Sequence, residues 1–211
     1  MRNQIVSEPL RKYGLKKRTR RSEEPWLRKK HWTEKEYLAL ETNHLIEFNN
    51  GVIEILPMPD FNHQSIVLLV ASAFAAIAES TKPGFVVLAP FRMKTANGKY
   101  REPDVLFLFN EHAGMFANDY WTGADIAVEI VSPGGEKRDL IDKRADYAAT
   151  GISEYWIVEP KIRSVTVLTL DGQKYVEHGI FKQGERVTSA LLNGFGLEVD
   201  ALFVSRAQNG K

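Results

Sequence analysis

The sequence predicts an α/β fold of mixed α+β character, with a mixed central β-sheet flanked by helices. One observation behind this is the order of elements, which runs helix, strands, helix, strands along the chain. A second is the helical recurrence of Ile66, Val67, Val70, Ala73, Phe74 and Ile77, which makes a broad apolar face. A third is a set of short apolar runs, such as Val105 to Phe109 and Ile126 to Val131, bounded by Pro and Gly. Hydrophobic residues make up 44% and charged residues 26% of the 211, the balance of a chain that can bury a core.

The elements follow in order. Thr33 and Glu36 fit a capping box, so a short helix is expected through Tyr37 and Leu40. Leu45–Phe48 and Val52–Ile55 alternate polar and apolar residues around Asn49-Asn50-Gly51, the signature of a β-hairpin. The long apolar-faced helix comes next, with His63 and Gln64 at its beginning. Phe85–Leu88, Val105–Phe109 and Ile126–Val131 read as strands, and Ser132-Pro133-Gly134-Gly135 reads as a turn. Asp139 is expected to cap a second helix running to about Ala149, with Gly151 ending it. Tyr155–Val158 and Val165–Leu168 are further strands on either side of a turn near Pro160, and Asp171-Gly172 signals another hairpin.

Charge divides the chain. Residues 1–30 hold 11 Lys+Arg against 3 Asp+Glu, whereas the remainder holds 17 against 24. Lys16, Lys17, Arg18, Arg20 and Arg21 form the densest basic block. Such a segment is either a solvated extension or an arm that touches phosphates. The expected organisation is a basic extension over residues 1–31, one domain over 32–203 and a tail over 204–211. With no cysteine, disulfides, thiolate metal sites and cysteine nucleophiles are excluded. No run of 18 apolar residues and no signal-peptide pattern is seen, so a cytoplasmic protein without a membrane span is expected. P-loop, dinucleotide, H-E-x-x-H and G-x-S-x-G motifs are all missing.

The informative residues are acids inside apolar strands. Glu129 sits among Ile126, Ala127, Val128, Ile130 and Val131, where a carboxylate needs a cleft, a partner or a metal. Asp104 follows Pro103 and opens another apolar strand. Two carboxylates converging from neighbouring strands make a hard oxygen site suited to Mg²⁺ or Mn²⁺. Lys143 shares a helix face with Leu140 and Tyr147, a face expected to look towards the sheet. In a metal-dependent hydrolytic set the acids hold the ion, and the lysine neutralises phosphate charge or orients water. Structural alternatives stand beside these roles. Glu129 can form a strand-edge salt bridge and Asp104 can open a turn. Lys143 can pair with Asp139 or lie along apolar surface.

Pro103-Asp104, Val128–Pro133, Asp139…Lys143…Tyr147 and Gly151–Pro160, together with Glu47…Gly51 and Pro57…His63, resemble the Uma-type putative restriction endonuclease family of bacterial proteins. The resemblance covers about residues 32–203. It implies a restriction-endonuclease-like core of the PD-(D/E)XK superfamily and a Mg²⁺-dependent endonuclease acting on DNA. Val131 stands where the superfamily motif has lysine, and Lys143 from the following helix takes that place. The resemblance also makes Glu47 an additional metal ligand or water-orienting acid and the Ile130 carbonyl a further ligand. It gives His63 phosphate contact or proton transfer. The alternatives are a hairpin-face acid for Glu47 and a helix N-terminal histidine for His63. DNA is the expected partner, through the cleft and the basic arm. A nuclease-like binding module with little catalysis, and a homodimer formed through the strands carrying Tyr155 and Trp156, are the competing readings.

Overall fold

The computed structural model describes residues 25–80 and 83–203. The basic block at 16–21 and the tail from 204 lie outside the described residues. The chain divides into two units, Met1–His31 and Trp32–Lys211. In the first, the described part includes a 3₁₀ turn at Pro25–Arg28.

The second unit opens with α1 (Glu34–Leu38), where Thr33 and Glu36 form the expected capping box. Strands β1 (Ile46–Asn49) and β2 (Val52–Ile55) pair antiparallel. Asn50 at φ 49° and Gly51 at φ 90° turn the hairpin with the positive angles that a primed turn needs. Helix α2 (Phe61–Ser80) is followed by β3 (Gly84–Leu88), β4 (Arg92–Lys94), β5 (Tyr100–Arg101), β6 (Val105–Phe109), β7 (Tyr120–Trp121) and β8 (Ile126–Ile130). A π-helical turn, Arg138–Asp142, runs into α3 (Lys143–Thr150). Then come β9 (Glu154–Glu159), β10 (Ser164–Asp171), β11 (Lys174–Phe181), the short β12 (Arg186–Val187) and β13 (Leu197–Glu198), and α4 (Val199–Leu202).

The central sheet has the order β11-β10-β9-β8-β6-β3. It is mixed: β8 and β9 are parallel, joined through α3, and its other neighbours are antiparallel. A second sheet, β2-β1-β5-β4-β7, was not legible as such, because β4, β5 and β7 have only two or three residues each. Runs that short carry no periodicity.

Both faces of the central sheet are covered, which is why its strands read as continuous apolar runs. Ile126, Val128, Ile130, Val105 and Phe107 meet α2 on one side. Ala127, Leu106, Leu108, Tyr155 and Ile157 meet Tyr147 of α3 on the other. Phe74 of α2 is fully buried, edge-on to Phe107 and Trp156 and tilted against Phe195. Phe74→Ala is expected to lower stability by about 3–5 kcal/mol, from lost transfer energy plus an unfilled cavity. Urea unfolding should read this as an earlier midpoint at unchanged slope.

One expectation changes, that for Asp139. By length and composition alone α2 is apolar enough to cross a membrane, although it contains no run of 18 apolar residues. Between His63 and Glu79 near its two ends its polar residues are Gln64, Ser65 and Ser72, which interrupt a run without adding charge, and its Ile66–Phe74 face packs on the sheet. Asp139 caps nothing. Its N–H already donates to the Gly135 carbonyl inside the helix, and its buried side chain turns to Arg138 and Lys143.

Candidate active site at the junction of the two sheets

Chain connectivity builds the site. β5 of the smaller sheet leads through Glu102-Pro103-Asp104 into β6 of the central one. Four consecutive residues, Arg101 to Asp104, therefore carry three charges across the junction. β6 pairs with β8 in the register Val105↔Val128 and Leu106↔Ala127. Continuing that register by one residue sets Asp104 opposite Glu129. Directly opposed residues share a sheet face, and two like charges there cost stability unless something compensates.

Asp104 and Glu129 line one cavity of about 120 Å³ with His63, Ile130, Arg138 and Lys143. Asp104 Oδ2 accepts the Ile130 N–H at 2.7 Å and lies 3.3 Å from His63 Nε2. In an extended strand the N–H and C=O of one residue project to the same side, so the Ile130 carbonyl faces the Asp104 edge too. His63 is placed by Asp60, whose carboxylate accepts the His63 N–H at 2.8 Å at the start of α2. Burial acts to lower the His63 pKa, but Asp104 outweighs it and holds the ring above its ordinary value. The His63 Nδ1 is buried and has no hydrogen-bond partner among the described residues.

Glu129 belongs to a central strand, so a strand-edge ion pair is not its setting. Its Oε1 accepts the Tyr147 hydroxyl at 2.5 Å, and its Oε2 lies 2.8 Å from Lys143 Nζ. Burial pushes its pKa up to about 8; Lys143 opposes the rise, while Asp104, Asp139 and Glu47 add to it. Lys143 is buried with three carboxylates at 2.8, 3.2 and 3.6 Å, those of Glu129, Glu47 and Asp139. Burial alone would lower its pKa, but these acids hold it well above the usual lysine range. The three ammonium donors thus face three acids.

Glu47 is brought close but does not line the cavity. Its Oε1 lies 3.2 Å from Lys143 and accepts the Glu102 N–H at 3.2 Å, and its Oε2 takes Arg101 at 2.7 Å. Burial raises its pKa, yet Lys143 and Arg101 outweigh that and leave it below the carboxylate range. Both oxygens are engaged away from the cavity. The place expected for an extra metal ligand is that of the counter-charge behind Lys143.

Arg101, Asp139 and Asp146 complete the network; sequence reading offered only the Lys143–Asp139 pair, as an alternative, and did not place Arg101 or Asp146. Arg101 joins Glu47 to Asp146 through 2.7 Å contacts at both Nη atoms. A signal existed: Asp139, Lys143, Asp146 and Tyr147 recur at spacings of four, three and one on a single helix. The π-helical turn just before Lys143, closed by Lys143 N–H to the Arg138 carbonyl, brings Asp139 onto the lysine.

In donor type, though not in number, the residues suit a hard divalent ion. Among the described residues no three His, Cys, Asp or Glu side chains are grouped to hold a metal. Asp104 and Glu129 instead offer two hard carboxylates beside a backbone carbonyl, and Oδ1 of Asp104 has no hydrogen bond among the described residues. Mg²⁺ commonly takes one or two carboxylates and keeps several waters.

A family model described as Uma2, putative restriction endonuclease, matches residues 34–200. No curated protein matches the chain. Among solved structures, the chain resembles a putative nuclease of the DUF820 group from Anabaena variabilis. The two are 20% identical, with a TM-score of 0.66 over 80% of this chain and 96% of that one. At that identity the likeness is one of fold, and the fold is the nuclease-like one expected.

Proposed function

The chain belongs to the Uma2 family, described as putative restriction endonucleases, and from that premise we propose that it is a metal-dependent endonuclease hydrolysing DNA phosphodiester bonds. The observation that carries this reading is the opposition of Asp104 and Glu129 across β6 and β8, in one cavity with Lys143. Two acids facing each other need cations, and those present are partly committed: His63 meets Asp104, and Lys143 is shared among Glu129, Glu47 and Asp139.

Asp104, Glu129 and the Ile130 carbonyl would hold Mg²⁺ or Mn²⁺. The ion would supply Lewis acidity and a water of lowered pKa. Lys143 and Tyr147 orient Glu129, and Lys143 opposes the burial that favours its neutral form. His63 holds Asp104 from the helix side through Nε2. A groove of about 720 Å³ shares Met58, His63 and Ser132 with the cavity and adds Lys161 and Ile162, giving a substrate strand a path. The basic residues of 1–30 would add phosphate contacts that carry no sequence information.

The test is cleavage of mixed DNA substrates with Mg²⁺ and with Mn²⁺, beside Asp104→Asn. The parent is expected to cut, and the variant to lose at least roughly 10²-fold, the upper end for a residue that only supports a metal ligand. DNA binding without cutting by the parent in either metal would favour the non-catalytic module.

A further inference from the structure

The nuclease reading asks for a cation on the substrate phosphate, and Lys143 is poorly placed for it. Its three N–H donors already face three buried carboxylates, and it is 1% exposed. Turning it towards a phosphate would leave Glu47 and Asp139 short of a partner in a desolvated site. His63 is also committed, since its Nε2 faces Asp104.

Arg138 is differently situated. It lines the cavity beside Asp104, Glu129 and Lys143, and its side chain is 24% exposed. Its Nε lies 3.1 Å from Asp139 Oδ1, a bond that orients the guanidinium plane. The Nη protons make no hydrogen bond among the described residues. That leaves the outer edge of a planar fork, the geometry that meets two oxygens of one phosphate.

Beneath the guanidinium the chain is bare. A Cβ placed on Gly135 would lie 2.9 Å from Arg138 Nη2 and 3.0 Å from Asp139 Oδ2. Gly135 shows no positive φ, so the glycine is required here by close approach rather than by backbone angle. The turn Ser132-Pro133-Gly134-Gly135, with Pro133 second and Gly134 at φ 81°, sets that floor directly after the Glu129 strand. The same turn thus ends the strand that supplies one acid and seats the arginine next to it.

We propose that Arg138, oriented by Asp139 and seated on Gly135, is the group that binds the non-bridging oxygens of the substrate phosphate, while Lys143 serves the acids. The proposal rests on the nuclease reading for its catalytic consequence, but the anion contact itself can be read without turnover. Asp139 is then a positioning residue for two cations at once, Arg138 by Nε and Lys143 by Nζ. The arrangement also separates the two charges the chemistry needs. A buried lysine fixes the acids, and a part-exposed arginine can meet a ligand that arrives and leaves.

The experiment uses the full chain in magnesium buffer, with Arg138→Gln, Arg138→Lys and Gly135→Ala. Inorganic phosphate is titrated while the arginine side-chain Nε–H signals are followed by NMR. One signal should shift in the parent and be missing in Arg138→Gln, while Gly135→Ala keeps the signal but weakens its response. In cleavage assays kcat should fall roughly 10²–10³-fold in Arg138→Gln, the loss typical of removing one transition-state donor. Arg138→Lys should recover part of it, and the magnesium-induced rise in melting temperature should stay in all three. A parent that responds to phosphate only through signals still present and still shifting in Arg138→Gln overturns the proposal. So does a cleaving parent whose Arg138→Gln variant keeps kcat within about threefold. If the parent cuts no DNA, the nuclease reading fails and the phosphate titration alone decides whether Arg138 holds an anion.

Discussion

Glu129→Gln is expected to abolish cleavage while leaving the fold intact. The amide keeps the size of the side chain and can still accept the Tyr147 hydroxyl, but it lacks the charge that a divalent ion needs. Lys143 is not stranded by the change, because Glu47 and Asp139 remain at 3.2 and 3.6 Å. The usual cost of breaking a buried pair, about 3–5 kcal/mol, should therefore not appear in full. The pH dependence gives a second reading. Burial raises the Glu129 pKa from 4.5 to about 8, so between those values the folded state binds more protons than the unfolded chain. Stability of the metal-free parent should accordingly fall as pH rises through that window, and Glu129→Gln should flatten the fall. Excess Mg²⁺ should raise the melting temperature of the parent by mass action and leave the variant unmoved. A variant that melts far below the parent at pH 5, in a parent that shows no magnesium response, would make Glu129 a structural acid.

Arg101→Met is expected to be the most destabilising single change in the site. Arg101 is almost fully buried and bridges Glu47, at 2.7 Å, to Asp146, at 2.7 and 3.1 Å. Removing it leaves the buried Glu47 and Asp146, and the part-exposed Glu54, with Lys143 and Lys99 as the remaining cations among the described residues. The expected loss is about 3 kcal/mol, the lower end for a broken buried pair, because those lysines persist. In a domain of this size that corresponds to roughly 6–12 °C in Tm. Adding Asp146→Asn should return part of the loss, since the second change removes one of the stranded charges, and a double-mutant cycle measures the coupling. A loss below about 0.5 kcal/mol, the range of ordinary surface substitutions, would show that the junction is solvated rather than dry.

Much of the architecture could be read locally. The capping box at Thr33 and Glu36, the hairpin at Asn50-Gly51 and the apolar face of α2 depend on residues within a few positions of one another. The same holds for the strands at Val105–Phe109 and Ile126–Ile130. Glu129 stood out for a local reason as well, a charge inside five apolar neighbours. Lys143 and Tyr147 could be placed on one helix face from spacing alone.

What lay beyond the sequence depended on register and on contacts between distant segments. No local pattern sets Asp104 across from Glu129; the pairing of β6 with β8 does that, and a slip of one residue would put them on opposite faces. In the smaller sheet β4, β5 and β7 are too short for a period and were not legible, yet β5 supplies Arg101 to the site beside Glu47 of the legible hairpin. Asp139 reads as a helix cap from its type, since capping is the usual use of Asp before a helix. Helical spacing also offers it Lys143 as a partner, and the assembled structure adds Arg138 and removes the cap. Sequence determines which residues are unusual for their neighbourhood, because propensity and periodicity act over a few positions. The tertiary structure decides which of them share a charge, because Coulomb interactions in a dry junction act across whatever the fold brings within a few ångströms.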